Sequence, residues 1–441
     1  MTEDAQPRAP ERHSNVRIFT YFGALIFLVA LASPVGYFGD ISTSYMLKNQ
    51  LAASASEVAD FRIYTAIPVY FAFVFGFVRD RWNPLGLRDR GYLLVFGPLT
   101  AIVYIWLGWQ QLTMATLFAG MLVVMLSFRF VGAAYQALLS LIGAEKLMSG
   151  RLVTVWQIVA SIPTVASAFA SGWAATHLDP RYTFYLLAAF SLAIGLMGFA
   201  KPKAVFAYAY DAPQAVSADL VTDLKRLVRY KAIYPAILVN FLWNFAPGAS
   251  TPLQYYLSNT LHASDEIYAN FNAIFAASFI PTFLVYGFLC KRVVLRKLLI
   301  WGTVVAVPQM IPLALVHSAQ SAMWLAAPIG LMGGIATASY YDLAVRSCPP
   351  GLQGTLMMAV EAVVYLSLRT SDKLGAVIYD ANPEYGFLYC VIAITAVYAS
   401  ILPVVLLLVP KHITATADGE VAPVVAAAEL REGAATAEGL R

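Results

Sequence analysis

Charge is what this chain has least of. Of its 441 residues only 12% are Asp, Glu, Lys or Arg, about half the share of roughly 25% usual in a soluble domain. That scarcity excludes a water-soluble globule, because so few ionised groups cannot cover the surface of a chain this long. Three cysteines cannot build a disulfide framework and the 28 glycines keep no period, so small secreted scaffolds and fibrous proteins are excluded too. Cys290, Cys348 and Cys390 sit in or beside apolar stretches and read as reduced packing residues. The five histidines show no ligand spacing, and neither a Gly-x-x-x-x-Gly-Lys-Ser/Thr loop nor a nucleophile motif occurs. No metal, no cofactor, no direct ATP driving and no enzymatic reaction is therefore expected. The net charge of +4 gives no argument for nucleic acid.

What the chain does have is apolar length: 60% of it is hydrophobic. A bilayer span needs about 20 mostly apolar residues, and the stretches 18–39, 91–128, 152–178, 182–200, 232–264, 267–290, 298–341 and 385–410 carry no charge at all. Polar turns at Gln110-Gln111 and at His317 to Ser321 divide two of the longer ones into hairpins. With single charges allowed inside otherwise apolar helices, twelve spans are predicted: 18–47, 61–79, 91–110, 113–142, 152–177, 182–200, 232–260, 266–290, 296–316, 321–346, 352–380 and 385–409. The expected protein is an all-α polytopic membrane protein, embedded in lipid as a monomer.

An even number of spans puts both termini on one side, and basic residues mark the cytoplasmic side. With the N terminus inside, inner loops and tails hold 23 of the 29 Lys and Arg, against only Lys48 and Arg181 in outer loops. An inner-membrane, multi-pass protein with both termini cytoplasmic is expected. The organisation reads as a cytoplasmic tail 1–17, a six-helix bundle 18–200, a linker 201–231 with an amphipathic helix at 223–229, a second six-helix bundle 232–409, and a disordered tail 410–441. The polar N-terminal residues precede a long apolar run without a small-residue cleavage site, so that run is expected to stay as a helix.

The two bundles repeat. Leu47-Lys48-Asn49-Gln50-Leu51 returns 210 positions later as Leu257-Ser258-Asn259-Thr260-Leu261. Gly76-Phe77-Val78-Arg79-Asp80-Arg81 returns at an offset of 211 as Gly287-Phe288-Leu289-Cys290-Lys291-Arg292. Both matches fall at equivalent topological places, which supports two pseudo-symmetric six-helix halves with a substrate held near mid-bilayer.

The loop after span two, Gly76-Phe-Val-Arg-Asp80-Arg81 with Gly86-Leu-Arg88-Asp-Arg90 after a short insertion, resembles the signature of the major facilitator superfamily. The insertion with Pro84, Tyr45-Met-Leu-Lys48, Pro68, Asn240-Phe-Leu-Trp-Asn244-Phe-Ala-Pro247 and Cys348-Pro-Pro-Gly351-Leu-Gln-Gly354-Thr355 are similar to the folate-biopterin transporter family within it. Where that family usually has a Lys-Pro pair before the glycine of span two, this chain has Phe73-Val74-Phe75. The resemblance implies the major facilitator fold, a central cavity lined by spans one, four, seven and ten, and transport of a pterin, folate or other aromatic anion.

Ionised groups deep in a bilayer are costly, so each marks a partner, a wet cavity or a pathway. Arg129 lies well inside span four; it reads either as a structural ion pair or as a substrate ligand, since its planar fork suits a carboxylate or phosphate. Glu361 in span eleven is the candidate proton carrier, the alternative being an interhelical pair with Arg129 or another cation. Asp372 and Asp342 are further proton-coupling candidates, while Arg369 and Lys373 read as a gating or structural network with Asp372. Asp80, Arg81, Arg88 and Arg90 are expected to pair at the cytoplasmic rim and latch one conformation. Asn240, Asn244 and Gln254 flank Pro247-Gly248 and Pro252, where an interrupted helix can leave backbone groups for a ligand. Tyr340 and Tyr341 are candidates to stack on a flat solute, and Asp40 is a further binding candidate. The leading expectation is a proton-coupled secondary transporter of a small organic anion. The alternatives are a sugar or neutral-solute cation symporter and a non-transporting membrane assembly factor.

Overall fold

A chain that cannot hydrate its backbone inside lipid must satisfy it along the helix axis, and the computed structural model follows that rule. It describes residues 9–35, 38–39, 43, 46–47, 50–53, 55–177, 179–206, 225, 229–263, 265–349, 351–382 and 384–420, and among these no strand occurs. Asp40, most of the amphipathic segment expected at 223–229, and residues 421–441 lie outside the described residues.

The long helices are Ala9–Ala32, Asp89–Trp109, Met114–Glu145, Ser149–His177, Pro180–Met197, Asp265–Leu289, Ala319–Arg346, Gln353–Ala381 and Gly386–Leu407. Seven helical stretches among the described residues are long and apolar enough to cross a membrane, and Ile233–Asn244 is a shorter apolar helix. Many large apolar side chains point away from the protein, such as Trp324 at 73% and Leu407 at 80% exposure. Outward-facing apolar groups on this scale need a hydrocarbon solvent.

Local chemistry sets several boundaries. Asp179 caps the Pro180–Met197 helix by accepting from the Arg181 amide at 2.9 Å, with Pro180 at the first helical position. Ser318 and Ser321 cap each other's backbone at the start of Ala319–Arg346. Prolines accompany the interruptions of three expected spans, while Pro98, Pro163, Pro281, Pro328 and Pro403 lie inside unbroken helices. Span two is divided into Ala55–Thr65, Ile67–Tyr70 and Ala72–Arg81 around Pro68, and span nine tightens into a 3-10 helix at Val307–Leu315, which contains Pro308 and Pro312. Span seven stops at Asn244 and restarts as Thr251–Tyr255, with Gly248 between at φ +115.

The chain forms two compact units. The first comprises 1–142, 155–227 and 349–366; the second comprises 143–154, 228–348 and 367–441. Each unit therefore takes in a short segment from the other half of the sequence. The first has a core that includes Leu107, Leu117, Met121 and Phe184. The second is built around Trp243, Tyr340 and Tyr398, with Trp243 stacked on Tyr398 at 4.7 Å. The expected disordered tail departs from the structure over its first residues. Lys411–Thr414 is a short helix, and Asp418 is 8% exposed. The amide of Asp418 donates to the Cys290 carbonyl at 2.8 Å. Composition hides this order because it comes from partners far away in sequence.

Candidate functional site

Arg129 and Gln136 are seven residues apart on the Met114–Glu145 helix, two turns along one face. Small residues next to them admit a neighbour. Ala133 packs with Ala72, Met358 and Ala362 in a buried cluster, and Gly132 leaves room for Met358. This contact sets Glu361 of the Gln353–Ala381 helix, within the first unit, opposite both polar groups. Arg129 Nη1 donates to Glu361 Oε1 in a close ion pair. Gln136 Nε2 donates to Glu361 Oε2 at 2.9 Å. One carboxylate is thus bound by a cation on one oxygen and an amide on the other.

Burial makes the pair consequential. Arg129 is 4% exposed and its guanidinium carbon lies 5.9 Å from the Phe128 ring centroid. Its Nε is buried with no hydrogen-bond partner among the described residues, so the fork holds a donor in reserve. Removing one member of a buried pair strands the other, which costs about 3–5 kcal/mol. The site therefore favours a single negative charge beside Arg129, whichever group supplies it.

A second carboxylate centre lies in the same unit. Asp80 accepts from the amides of Gly354 at 3.1 Å and Thr355 at 2.8 Å, from Thr355 Oγ1 at 2.7 Å, and from Arg79 Nη1 at 2.9 Å. Arg79 also donates through Nε to Asp89 at 2.6 Å. A carboxylate at the start of the Gln353–Ala381 helix complements the free amides and dipole there. Gly76 sits against the Gly354 carbonyl so closely that no side chain fits. The basic partner of Asp80 is Arg79, which was not among the expected gating residues. Arg81 lies over the Phe77 ring at 5.1 Å, the Arg88 amide donates to Asn83 Oδ1, and Arg90 Nε donates to the Gly198 carbonyl at 2.8 Å.

The remaining expected residues fall in the second unit. Asp372 accepts from the Thr251 amide at 2.9 Å and Thr251 Oγ1 at 2.8 Å, capping the restart of span seven. Arg369 and Lys373 are exposed. Asp342 is fully buried, accepting from Tyr286 Oη at 2.8 Å and Arg346 Nε at 2.9 Å. Asn240 is also fully buried and donates to the carbonyls of Ala236 and Tyr340, while its Oδ1 has no hydrogen-bond partner among the described residues. Asn244 donates to the Asn240 carbonyl, and Gln254 and Tyr341 are half-buried. Tyr340 is enclosed in the core with its hydroxyl 2.7 Å from Thr303 Oγ1. Arg79, Asp89, Gln136, Thr355, Arg346 and Asp418 were not singled out from the sequence. Only the charged ones carried a signal, and that signal was lost in basic loops and in the tail.

Comparison with known proteins agrees with this architecture. The model of the BT1 family matches residues 36–423. The chain is 20% identical over 373 residues to folate transporter 2 of Plasmodium falciparum, covering 82% of this chain and 81% of that one. It is 23% identical over 354 residues to the folate-biopterin transporter of a Synechocystis species, covering 77% and 70%. Among solved structures, the major facilitator superfamily transporter FucP in its outward conformation matches with a TM-score of 0.63 and 13% identity, over 89% of this chain and 98% of that one. The fold is that of the major facilitator superfamily, and the chain belongs to the BT1 family, as a multi-pass membrane transporter and not an enzyme.

Proposed function

We propose that the protein moves an aromatic or carboxylated anion such as a pterin or folate by proton-coupled alternating access, with both termini on the cytoplasmic side of an inner membrane. The observation that carries this reading is the buried Arg129 bound to Glu361, with Gln136 on the second carboxylate oxygen. The names of the two curated relatives support the substrate class.

The mechanism follows from charge balance. Arg129 stays ionised, so its environment must supply one negative charge. Glu361 supplies it in the resting pair. When Glu361 takes a proton its hold on the guanidinium weakens, and a substrate carboxylate replaces it, using the reserve Nε donor as well. A proton and an anion then cross together with the Arg129 charge neutralised throughout. Release of the anion restores the Arg129–Glu361 pair and frees the proton.

Uptake of labelled folate or biopterin into proteoliposomes under an imposed pH gradient tests this. Accumulation is expected to follow the gradient and to vanish in Arg129→Gln. Glu361→Gln is expected to lose gradient-driven accumulation while keeping solute exchange, because Arg129 is then permanently open to the anion. Full gradient-driven uptake in both variants would refute the proposal.

A further inference from the structure

We infer that Asp418, delivered by the segment beyond the last long helix, supplies the second of two matching carboxylate latches and positions the transporter for its conformational cycle. It stands in for an acid that the second sequence repeat lacks. The inference rests on the chain being a transporter, and not on which solute it carries.

The internal repeat sets the expectation. Asp80 holds the start of the Gln353–Ala381 helix, and an offset of 211 carries Asp80 onto Lys291. Lysine cannot accept from backbone amides, so on the repeat alone the second half has no latch. The structure nevertheless contains one. Asp418 Oδ1 accepts from the Gly150 amide at 3.1 Å, and Oδ2 accepts from the Arg151 amide at 2.9 Å, at the start of the Ser149–His177 helix. Asp80 does the same with Gly354 and Thr355 at 3.1 and 2.8 Å. In each case a glycine amide goes to one oxygen and the next amide to the other.

The surroundings repeat as well. Gly287, the counterpart of Gly76, lies against Thr154 with a β-carbon position only 2.8 Å from its Cγ2, so the close crossing survives in the second half. Gly150 is equally confined, since a β-carbon there would lie 2.9 Å from Cys290 Cβ. Arg346 bridges Asp342 and Asp418, at 2.9 Å from each, as Arg79 bridges Asp80 and Asp89. The Asp418 amide donates to the carbonyl of Cys290, the counterpart of Arg79, so the arriving carboxylate occupies the place of the missing one.

Both latches hold the segments that each unit takes from the other half of the sequence. Asp80 holds 349–366 in the first unit, and Asp418 holds 143–154 in the second. Any rearrangement that returns these segments to their own halves has to break both carboxylate contacts.

Cys290 is a built-in reporter. Its Sγ lies 3.9 Å from Asp418 Oδ2 and the residue is 1% exposed, so it reacts slowly while the latch is closed. In a Cys348→Ser, Cys390→Ser background, alkylation by N-ethylmaleimide is to be timed in native membranes. Asp418→Asn is expected to speed labelling at least tenfold, and Lys291→Asp added to it is expected to bring the rate back toward the parent. Asp80→Asn, with Asp418 intact, is expected to speed Cys290 labelling too, because the two latches open in one cycle; a merely local anchor leaves that rate unchanged. A cleavage site inserted after Pro410 and cut after membrane assembly releases Asp418 from protein already folded, and decides the question if Asp418→Asn does not accumulate. Parent-like labelling in Asp418→Asn or after cleavage, or no effect of Asp80→Asn, would overturn the inference. The readout needs no substrate, so it stands apart from any failure of the folate assignment.

Discussion

Arg129 is costly to bury, and its cost separates a structural role from a functional one. Replacing Arg129 alone by Leu leaves Glu361 without its cation, and Glu361→Leu alone leaves the guanidinium stranded; each is expected to destabilise the protein by about 3–5 kcal/mol. The double replacement by Leu is expected to recover most of that loss in thermal unfolding, because apolar pairs replace buried ion pairs at little net expense. Transport is expected to stay absent in the double variant. Recovery of both stability and uptake would show that the pair serves packing alone. From the sequence, Arg129 and Glu361 were legible as groups too costly to retain without a use, and their mutual pairing was one of two open readings. Gln136 was not legible, since a neutral amide among apolar residues carries no comparable signal until its bond to Glu361 is seen.

Helices are held by what meets their ends, and here several ends are met by residues from far along the chain. The interruption of span seven was legible in Pro247-Gly248 and Pro252, since a missing donor is a local fact, whereas those in spans two and nine were not read from the sequence. What closes those gaps is not local. Asp372 caps Thr251 across 121 positions, and Asp80 caps Thr355 across 275. Asp372→Asn keeps the shape and removes the charge, and it is expected to cost about 1 kcal/mol, the scale of a helix cap, seen as a small fall in melting temperature. Gly76→Ala is a harsher test. Its β-carbon would overlap the Gly354 carbonyl, a backbone atom that cannot rotate away. The helix crossing must then separate, and the first latch is expected to fail with it, measured as faster proteolysis or labelling near Thr355.

For the molecule as a whole, scarcity of charge and length of apolar runs were enough to read the fold class, because both follow directly from the solvent. The exchange of 349–366 and 143–154 between units was not readable, since it depends on which helix starts find which carboxylates. The ordered stretch after the last long helix was hidden for the same reason. In the proposed mechanism one buried cation is neutralised in turn by Glu361 and by the transported anion. Calorimetric titration of the purified protein with folate, in buffers of different ionisation enthalpy, reads the protons taken up on binding. Near-stoichiometric proton uptake is expected in the native protein, and none in Glu361→Gln, which should still bind. Tight binding by the native protein without proton uptake would contradict the account.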